Sequence, residues 1–251
     1  VRWQDPIFTT YRGHHVFEAP PNSSGHVLLQ ELNLAEQFNL RDLGCNSSQA
    51  VHLMVEAKKL AFADREIYMA DPEFVEVPIP GLLSKEYAAD RAKDIDPEKA
   101  ATDVRAGNPW KYQGTGGIPP KNITRVSPPK EDTTCFSIVD RWGNAVCILQ
   151  SLQTAFGSSL IAKDTGILLN NRMTYWHLDP DHLDCLEPGK RVRHTMNPVM
   201  AFKDRPDGGR DLTLVFGTPG ADTQVQTNFQ VLTHVLDYGM NVAEAVEAPR
   251  W

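Results

Sequence analysis

The stretch Asp132-Thr133-Thr134-Cys135-Phe136-Ser137-Ile138-Val139-Asp140-Arg141-Trp142-Gly143-Asn144-Ala145-Val146-Cys147-Ile148-Leu149-Gln150 decides how the rest of this chain is read. Apolar and polar residues alternate on both sides of Arg141-Trp142-Gly143-Asn144, which has the composition of a tight turn. The segment therefore predicts a hairpin with Thr133 at the head of its first strand. A threonine hydroxyl is a weak nucleophile unless a base lies beside it. Cleavage of the bond before Thr133 would free an α-amino group on the same residue, with a pKa of about 7.7–8.0, and so supply that base. Taken alone, the Thr133-Thr134 pair reads more plainly as two β-branched strand residues.

Outward from the hairpin the periodicity changes. Upstream, Leu28, Leu32 and Ala35 follow a helical period after Asn22-Ser23-Ser24-Gly25, and Asn39 to Gly44 stops that helix. A longer helix is expected from about Ser47 to Met69. Its buried stripe would be Ala50, Leu53, Met54, Ala57, Leu60, Ala61 and Ile67, with Glu56, Lys58, Lys59, Arg65 and Glu66 facing water and His52 and Asp64 at the surface or in helix packing. Residues 71–132 break into short pieces with one helix near Lys85 to Ile95. The stretch from about Asn108 to Asp132, with Pro119, Pro120, Pro128 and Pro129, reads as an exposed loop.

Downstream, Leu168 and Leu169 are expected in a strand, and Val199 to Phe202 and Leu212 to Phe216 form a hairpin around Arg205-Pro206-Asp207-Gly208-Gly209. A helix with Val225, Phe229, Leu232 and Leu236 inward then stops at Gly239, and Asn241 with Glu244 caps a last one. Helices, then strands, then helices define an α+β chain with antiparallel sheets. The expected organisation is a mostly helical part over 1–132 and a strand-then-helix part over 133–251, together one domain.

Composition narrows the function classes. With 251 residues, 41% hydrophobic and 23% charged, the chain can bury a substantial core. A net charge of -7 argues against nucleic acid or an anionic membrane surface as main partner and favours a small-molecule substrate. No apolar run approaches the roughly 20 residues of a membrane span, and these residues include no basic-plus-apolar leader from which a compartment is expected to be readable. Cys45, Cys135, Cys147 and Cys185 lack C-x-x-C spacing, so neither a zinc site nor a redox motif is expected. Cys135 and Cys147 fall on the two strands of one hairpin and could face each other.

Further blocks carry a resemblance. They include His52-Leu53-Met54-Val55-Glu56-Ala57, Ala61-Phe62-Ala63-Asp64-Arg65, Asp71-Pro72, Gly143-Asn144-Ala145-Val146, Thr165-Gly166-Ile167-Leu168-Leu169-Asn170-Asn171, Pro188-Gly189-Lys190-Arg191, Gly217-Thr218-Pro219-Gly220 and Tyr238-Gly239-Met240-Asn241-Val242-Ala243-Glu244-Ala245. In this order they resemble the gamma-glutamyltransferase (glutathione hydrolase) family of N-terminal-nucleophile hydrolases. The resemblance implies an αββα sandwich, autocatalytic cleavage between Asp132 and Thr133, and large and small subunits cut from one precursor. It also implies that this chain is an internal part of that precursor, without the upstream arginine that clamps the substrate carboxylate in relatives. Family members are often periplasmic, secreted or surface-anchored.

By the same resemblance Thr133 is the nucleophile and Ser151, eighteen residues on, is the second hydroxyl that holds its oxygen. Gly220 and Ala221 would donate backbone N–H groups to the oxyanion. Alanine takes positive φ less cheaply than the glycine usual at 221, which predicts a differently shaped turn. Gln153, Arg172 and Tyr175 stand where glutamyl-specific members hold the substrate ammonium, and His194-Thr195 replaces a serine pair that contacts the carboxylate. Tyr175 in place of an acidic counter-charge, together with the added cation Arg172, favours an anion, and the pattern looks closer to the branch of oxamate amidohydrolases and cephalosporin-acylase-like proteins. Neither a metal nor an organic cofactor is implied. Three functions follow as expectations: a glutathione-type γ-glutamyl amidohydrolase, an amidase of a small anionic or acyl amide, and an unprocessed, non-catalytic binding module.

Overall fold

The protein is described by a computed structural model over residues 3–114, 117 and 132–251. The prolines expected to mark a loop at 119, 120, 128 and 129 lie outside the described residues. Two strands open the chain, β1 (Ile7–Tyr11) and β2 (His14–Glu18), where a helical beginning was expected. They pair through a two-residue turn at Arg12-Gly13, both at positive φ (48° and 78°). That geometry matches the right-handed twist of the flanking strands.

β2 pairs antiparallel with β5 (Val199–Asp204), and β5 with β6 (Arg210–Phe216), around the expected turn. The result is a four-stranded sheet in the order β1-β2-β5-β6. Period-2 alternation gives the sheet two faces. Val16, Val199 and Ala201 are fully buried and cluster with Val27, Leu28, Leu32, Phe229 and Leu232 of the helices. Phe17, Met200 and Phe202 belong to the other face, where they line a cavity together with Cys147.

The helical layer consists chiefly of α1 (Gly25–Ala35), α3 (Ser48–Tyr68) and α6 (Thr223–Leu236), with α2 (Leu40–Leu43), α4 (Ile79–Leu82), α5 (Lys85–Arg91) and α7 (Val242–Glu247) around them. Every residue of α1 is buried, so it runs through the middle of the layer. The expected α3 stripe from Ala50 to Ile67 is buried throughout. The polar side of that helix departs from expectation. Glu56 and Arg65 are buried as well, while Asp64 takes the helix-packing place that was one of the two expected for it, and each finds a partner: Glu56 takes Lys59 at 2.6 Å, Asp64 takes the Tyr87 hydroxyl at 2.8 Å, and Arg65 takes Asp222 at 2.7 Å. Charges enter an interior when they are paired and hydrogen-bonded. The last helix carries the expected capping box between Asn241 and Glu244, and Gly239 sits at φ 71°.

β3 (Asp132–Val139) and β4 (Ala145–Gln153) form a separate two-stranded sheet. Its turn is held by Asp140, whose Oδ1 accepts the N–H of Trp142 and of Asn144. Cys135 pairs with Leu149 and Cys147 with Ser137, so the two cysteines are diagonal neighbours instead of facing partners. Both thiols are free. Burial, then the nearby Cys147 thiol, pushes Cys135 up to about 11. Leu168 makes only an isolated bridge to Ile161, not the expected strand.

Candidate active site

Thr133 lies at an irregularity in the β3–β4 ladder: the register shifts between Asp132 and Thr133, which leaves Thr133 opposite Ser151 and Asp132 opposite Gln153. Such a bulge re-aims the side chain it carries. Thr133 and Ser151 line a cavity of about 390 Å³ with Asp132, Leu152, Thr154 and Phe156. The Thr133 hydroxyl oxygen is buried there and has no hydrogen-bond partner among the described residues.

Ser151 stands opposite Thr133, and its hydroxyl makes two hydrogen bonds. Its hydroxyl accepts the Gln153 N–H at 2.9 Å and donates to the carbonyl oxygen of Asp132 at 2.8 Å. The group expected to hold the nucleophile's oxygen thus holds the carbonyl that this nucleophile would attack. The accepted N–H directs the serine proton at that carbonyl.

Gln153 is fully buried at φ 81°, and its side-chain amide exchanges two hydrogen bonds with the Thr174 hydroxyl, at 2.7 and 3.0 Å. These bonds tie the end of β4 to the 3₁₀ turn Arg172–Tyr175. The amide is a strut between two segments.

Arg172, Tyr175, His194 and Thr195 come together as one cluster. Arg172 Nη1 lies 3.4 Å from the Thr195 hydroxyl, and its guanidinium 5.8 Å from the Tyr175 ring. Arg193 stacks on the same ring at 4.3 Å. His194 is fixed by its backbone, with its N–H on the Asn22 carbonyl and its own carbonyl accepting the Ser24 N–H. Burial, then the Arg172 and Arg191 charges, pushes the His194 imidazole down to about 4, so it is neutral at pH 7. The cluster therefore carries cationic charge on arginine alone.

The turn from Gly217 to Ala221 leaves β6 beside the hairpin. A side chain at Gly217 would meet the Cys135 sulfur at 2.9 Å and Leu149 at 3.1 Å, residues two positions from Thr133 and Ser151. Gly220 adopts φ 127° and Ala221 φ 53°, so alanine does take the left-handed conformation there. Neither residue's N–H donates to a backbone carbonyl among the described residues. Gly220 and Ala221 do not line the Thr133 cavity itself.

Sequence reasoning missed Arg65, Arg193 and Asp222. Arg65 stands four residues after Ala61 and three after Phe62, so its helical spacing already placed it on the buried stripe. Its charge argued the other way. Among the described residues no group of histidines, cysteines and carboxylates is arranged to hold a metal ion, and no helix is long and apolar enough to cross a membrane.

A helix-backed antiparallel sheet with a second sheet carrying a threonine at a strand head is the arrangement of the N-terminal-nucleophile hydrolases, and comparison with known proteins agrees. The gamma-glutamyltranspeptidase family model matches residues 1–251. The glutathione hydrolase-like YwrD proenzyme of Bacillus subtilis (strain 168) is 37% identical over 249 residues, covering 99% of this chain and 42% of that protein. The Acylase ACY 1 proenzyme of Pseudomonas sp. (strain SE83) is 36% identical over 251 residues, covering 100% of this chain and 41% of that protein. The crystal structure of cephalosporin acylase from Bacillus halodurans superimposes with a TM-score of 0.83 at 34% identity, over 100% of this chain and 41% of that one. The chain belongs to the gamma-glutamyltranspeptidase family. It spans about two fifths of the length of these relatives.

Proposed function

We propose that this chain is the catalytic middle of a precursor that cuts itself before Thr133 and then hydrolyses an amide through an acyl-enzyme on that residue. In the first stage the Thr133 oxygen attacks the Asp132 carbonyl carbon, the C–N bond breaks, and the hydroxyl proton passes to the Thr133 nitrogen. The resulting ester is hydrolysed by water, which leaves a carboxylate on Asp132 and a free amine and hydroxyl on Thr133. In the second stage the amine takes the hydroxyl proton while the oxygen attacks the substrate amide. Water or an amine then accepts the acyl group. Cleavage would leave residues 1–132 and 133–251 on two chains of one folded unit.

The observation that carries this reading is the hydrogen bond from the Ser151 hydroxyl to the Asp132 carbonyl, next to an unpartnered Thr133 oxygen. A donor already aimed at the carbonyl supports charge as it develops on that oxygen, and loss of one such donor costs about 2.7–4 kcal/mol of barrier. For the second stage, the Gly220 and Ala221 N–H groups stand at the start of α6 as donors to the substrate oxyanion.

A γ-glutamyl amide of the glutathione type is the first substrate class, in keeping with the relatives named glutathione hydrolases. The arginine-bearing cluster of Arg172, Tyr175, His194 and Thr195 favours a second reading, an amide with an anionic or acyl group and no transferase activity. Intact-mass analysis of the full-length polypeptide tests the cleavage: two chains meeting between Asp132 and Thr133 are expected, and Thr133→Ala leaves one. Incubation with glutathione and with oxamate separates the substrate classes. A wild type that stays uncut and matches Thr133→Ala on every amide would make the protein a non-catalytic binding module.

A further inference from the structure

We propose that Arg65 is the positioning residue of the oxyanion turn, acting on Gly220 and Ala221 through the carboxylate of Asp222; this rests on the function proposed above. Arg65 projects from α3, in the helical layer, and only 2% of it is exposed. Its guanidinium grips Asp222 as a fork, Nη1 on Oδ1 at 2.7 Å and Nη2 on Oδ2 at 3.1 Å. Two parallel bonds fix orientation as well as distance, which a single ammonium contact does not. The Arg65 side chain is itself held from two other sides, by the Glu66 carboxylate on Nε at 3.1 Å and by the Phe62 ring at 4.3 Å. Arg193 Nη1 approaches the same Asp222 oxygen at 3.9 Å while its guanidinium covers Tyr175.

Asp222 stands at the N-cap of α6, where an aspartate ordinarily accepts a backbone N–H of the first helical turn. It makes no such bond. Its carboxylate is turned onto Arg65 instead. The residue just before it, Ala221, holds a left-handed conformation that costs a non-glycine residue about 1–2 kcal/mol. Strained backbone of this kind persists where its surroundings over-determine it, and the Asp222 fork is the constraint next in the chain. Burial opposes the Arg65 charge, yet the Asp222 and Glu66 carboxylates raise its pKa, so the guanidinium side of the fork stays charged. The Asp132 carbonyl, in contrast, already has its donor in Ser151. The clamp therefore serves turnover of substrate and not self-cleavage.

The test uses the full-length, processed protein and an amide for which wild type exceeds Thr133→Ala. Asp222→Asn keeps the shape and removes the charge, and is expected to lower kcat about tenfold or more with KM within about twofold, the pattern of an interaction made only in the transition state. The yield of cut chains by intact mass is expected to match wild type. Ala221→Gly, which relieves the left-handed penalty, is expected to raise kcat more in the Asp222→Asn background than in wild type. Arg65→Lys should give the same kcat loss. If Asp222→Asn does not fold, Asp222→Ser carries the same measurements. An active wild type matched by Asp222→Asn, a change confined to KM, equal loss of cleavage, or the same response to Ala221→Gly in both backgrounds overturns the inference while leaving the Thr133 mechanism standing. A wild type that neither cuts nor turns over overturns both.

Discussion

In the helix-backed sheet, Val16 and Ala201 are fully enclosed with Leu28, Leu32 and Phe229, whereas in the β3–β4 hairpin Phe136, Ile138, Val139 and Val146 leave between 45% and 59% of their surface exposed. The first region is held by apolar burial and the second by discrete polar ties. Those ties are the Ser151 hydroxyl on Asp132, the Gln153 amide on Thr174 and the Cys147 thiol on the Phe216 carbonyl at 3.3 Å. The difference teaches where precision comes from in this molecule. Thr133 and Ser151 both sit on the less enclosed element, whereas the Gly220-Ala221 turn expected to serve them joins β6 and α6 of the enclosed one.

The contrast breaks most directly at Phe229, which is fully buried in the helical layer. Phe229→Ala is expected to lower unfolding free energy by about 3–5 kcal/mol, measured by urea denaturation, and a loss below 1 kcal/mol would show that the layer is not the source of stability. Ser151→Ala comes next. It should slow the appearance of cut chains by about 10²–10³, the worth of one oxyanion donor, when cleavage is followed over time by intact mass. Unchanged cleavage would mean that the Asp132 carbonyl needs no donor.

A smaller effect concerns a buried carboxyl group. Glu31 in α1 is fully enclosed, with no hydrogen bond to either carboxylate oxygen among the described residues. Burial raises its pKa from 4.5 to about 8, against the pull of Lys58 and Arg65. A carboxyl raised in the folded state contributes no penalty below its unfolded pKa. As pH climbs from about 4.5 towards 8 the unfolded chain loses the proton that the folded one keeps, and stability falls. Glu31→Gln should therefore gain on wild type by more than about 1 kcal/mol between pH 5 and pH 8 in the same denaturation experiment. A constant difference would place the ionised form inside the fold. The smallest effect is expected on the hairpin surface: Ile138→Ser, at a side chain 59% exposed, should change stability by less than about 0.5 kcal/mol in this chain. A loss above 1 kcal/mol would show that the exposed face is covered in solution.

Much of this architecture was legible. The hairpin read from Asp132 to Gln150, the α3 stripe, the α5 helix and the Asn241–Glu244 capping box each announce themselves within a few residues, through period, turn chemistry and cap spacing. The opening strands did not. Ile7 to Glu18 is short, its turn is Arg12-Gly13 in place of the stronger Asn-Gly signal, and β2 is completed by β5 from the far end of the chain. Glu56 and Arg65 read as solvent-facing because their charges do, and only their partners make burial tolerable. At the site, Thr133, Ser151 and the Gly220-Ala221 turn could be named from motif, but the bond from Ser151 to Asp132 could not, since it depends on a register shift at one residue.

The amino-acid order alone set the local choices: where the long helices begin and stop, which apolar residues of those helices turn inward, and the placement of a threonine at the head of a strand. Those follow from interactions between residues a few positions apart. Tertiary structure alone decided that an arginine on α3 reaches a carboxylate 157 positions later, that Ala221 accepts a left-handed backbone, and that a serine proton points at the peptide before Thr133. Such contacts join segments with no periodic relation in the chain, and their geometry is set by how the layers pack.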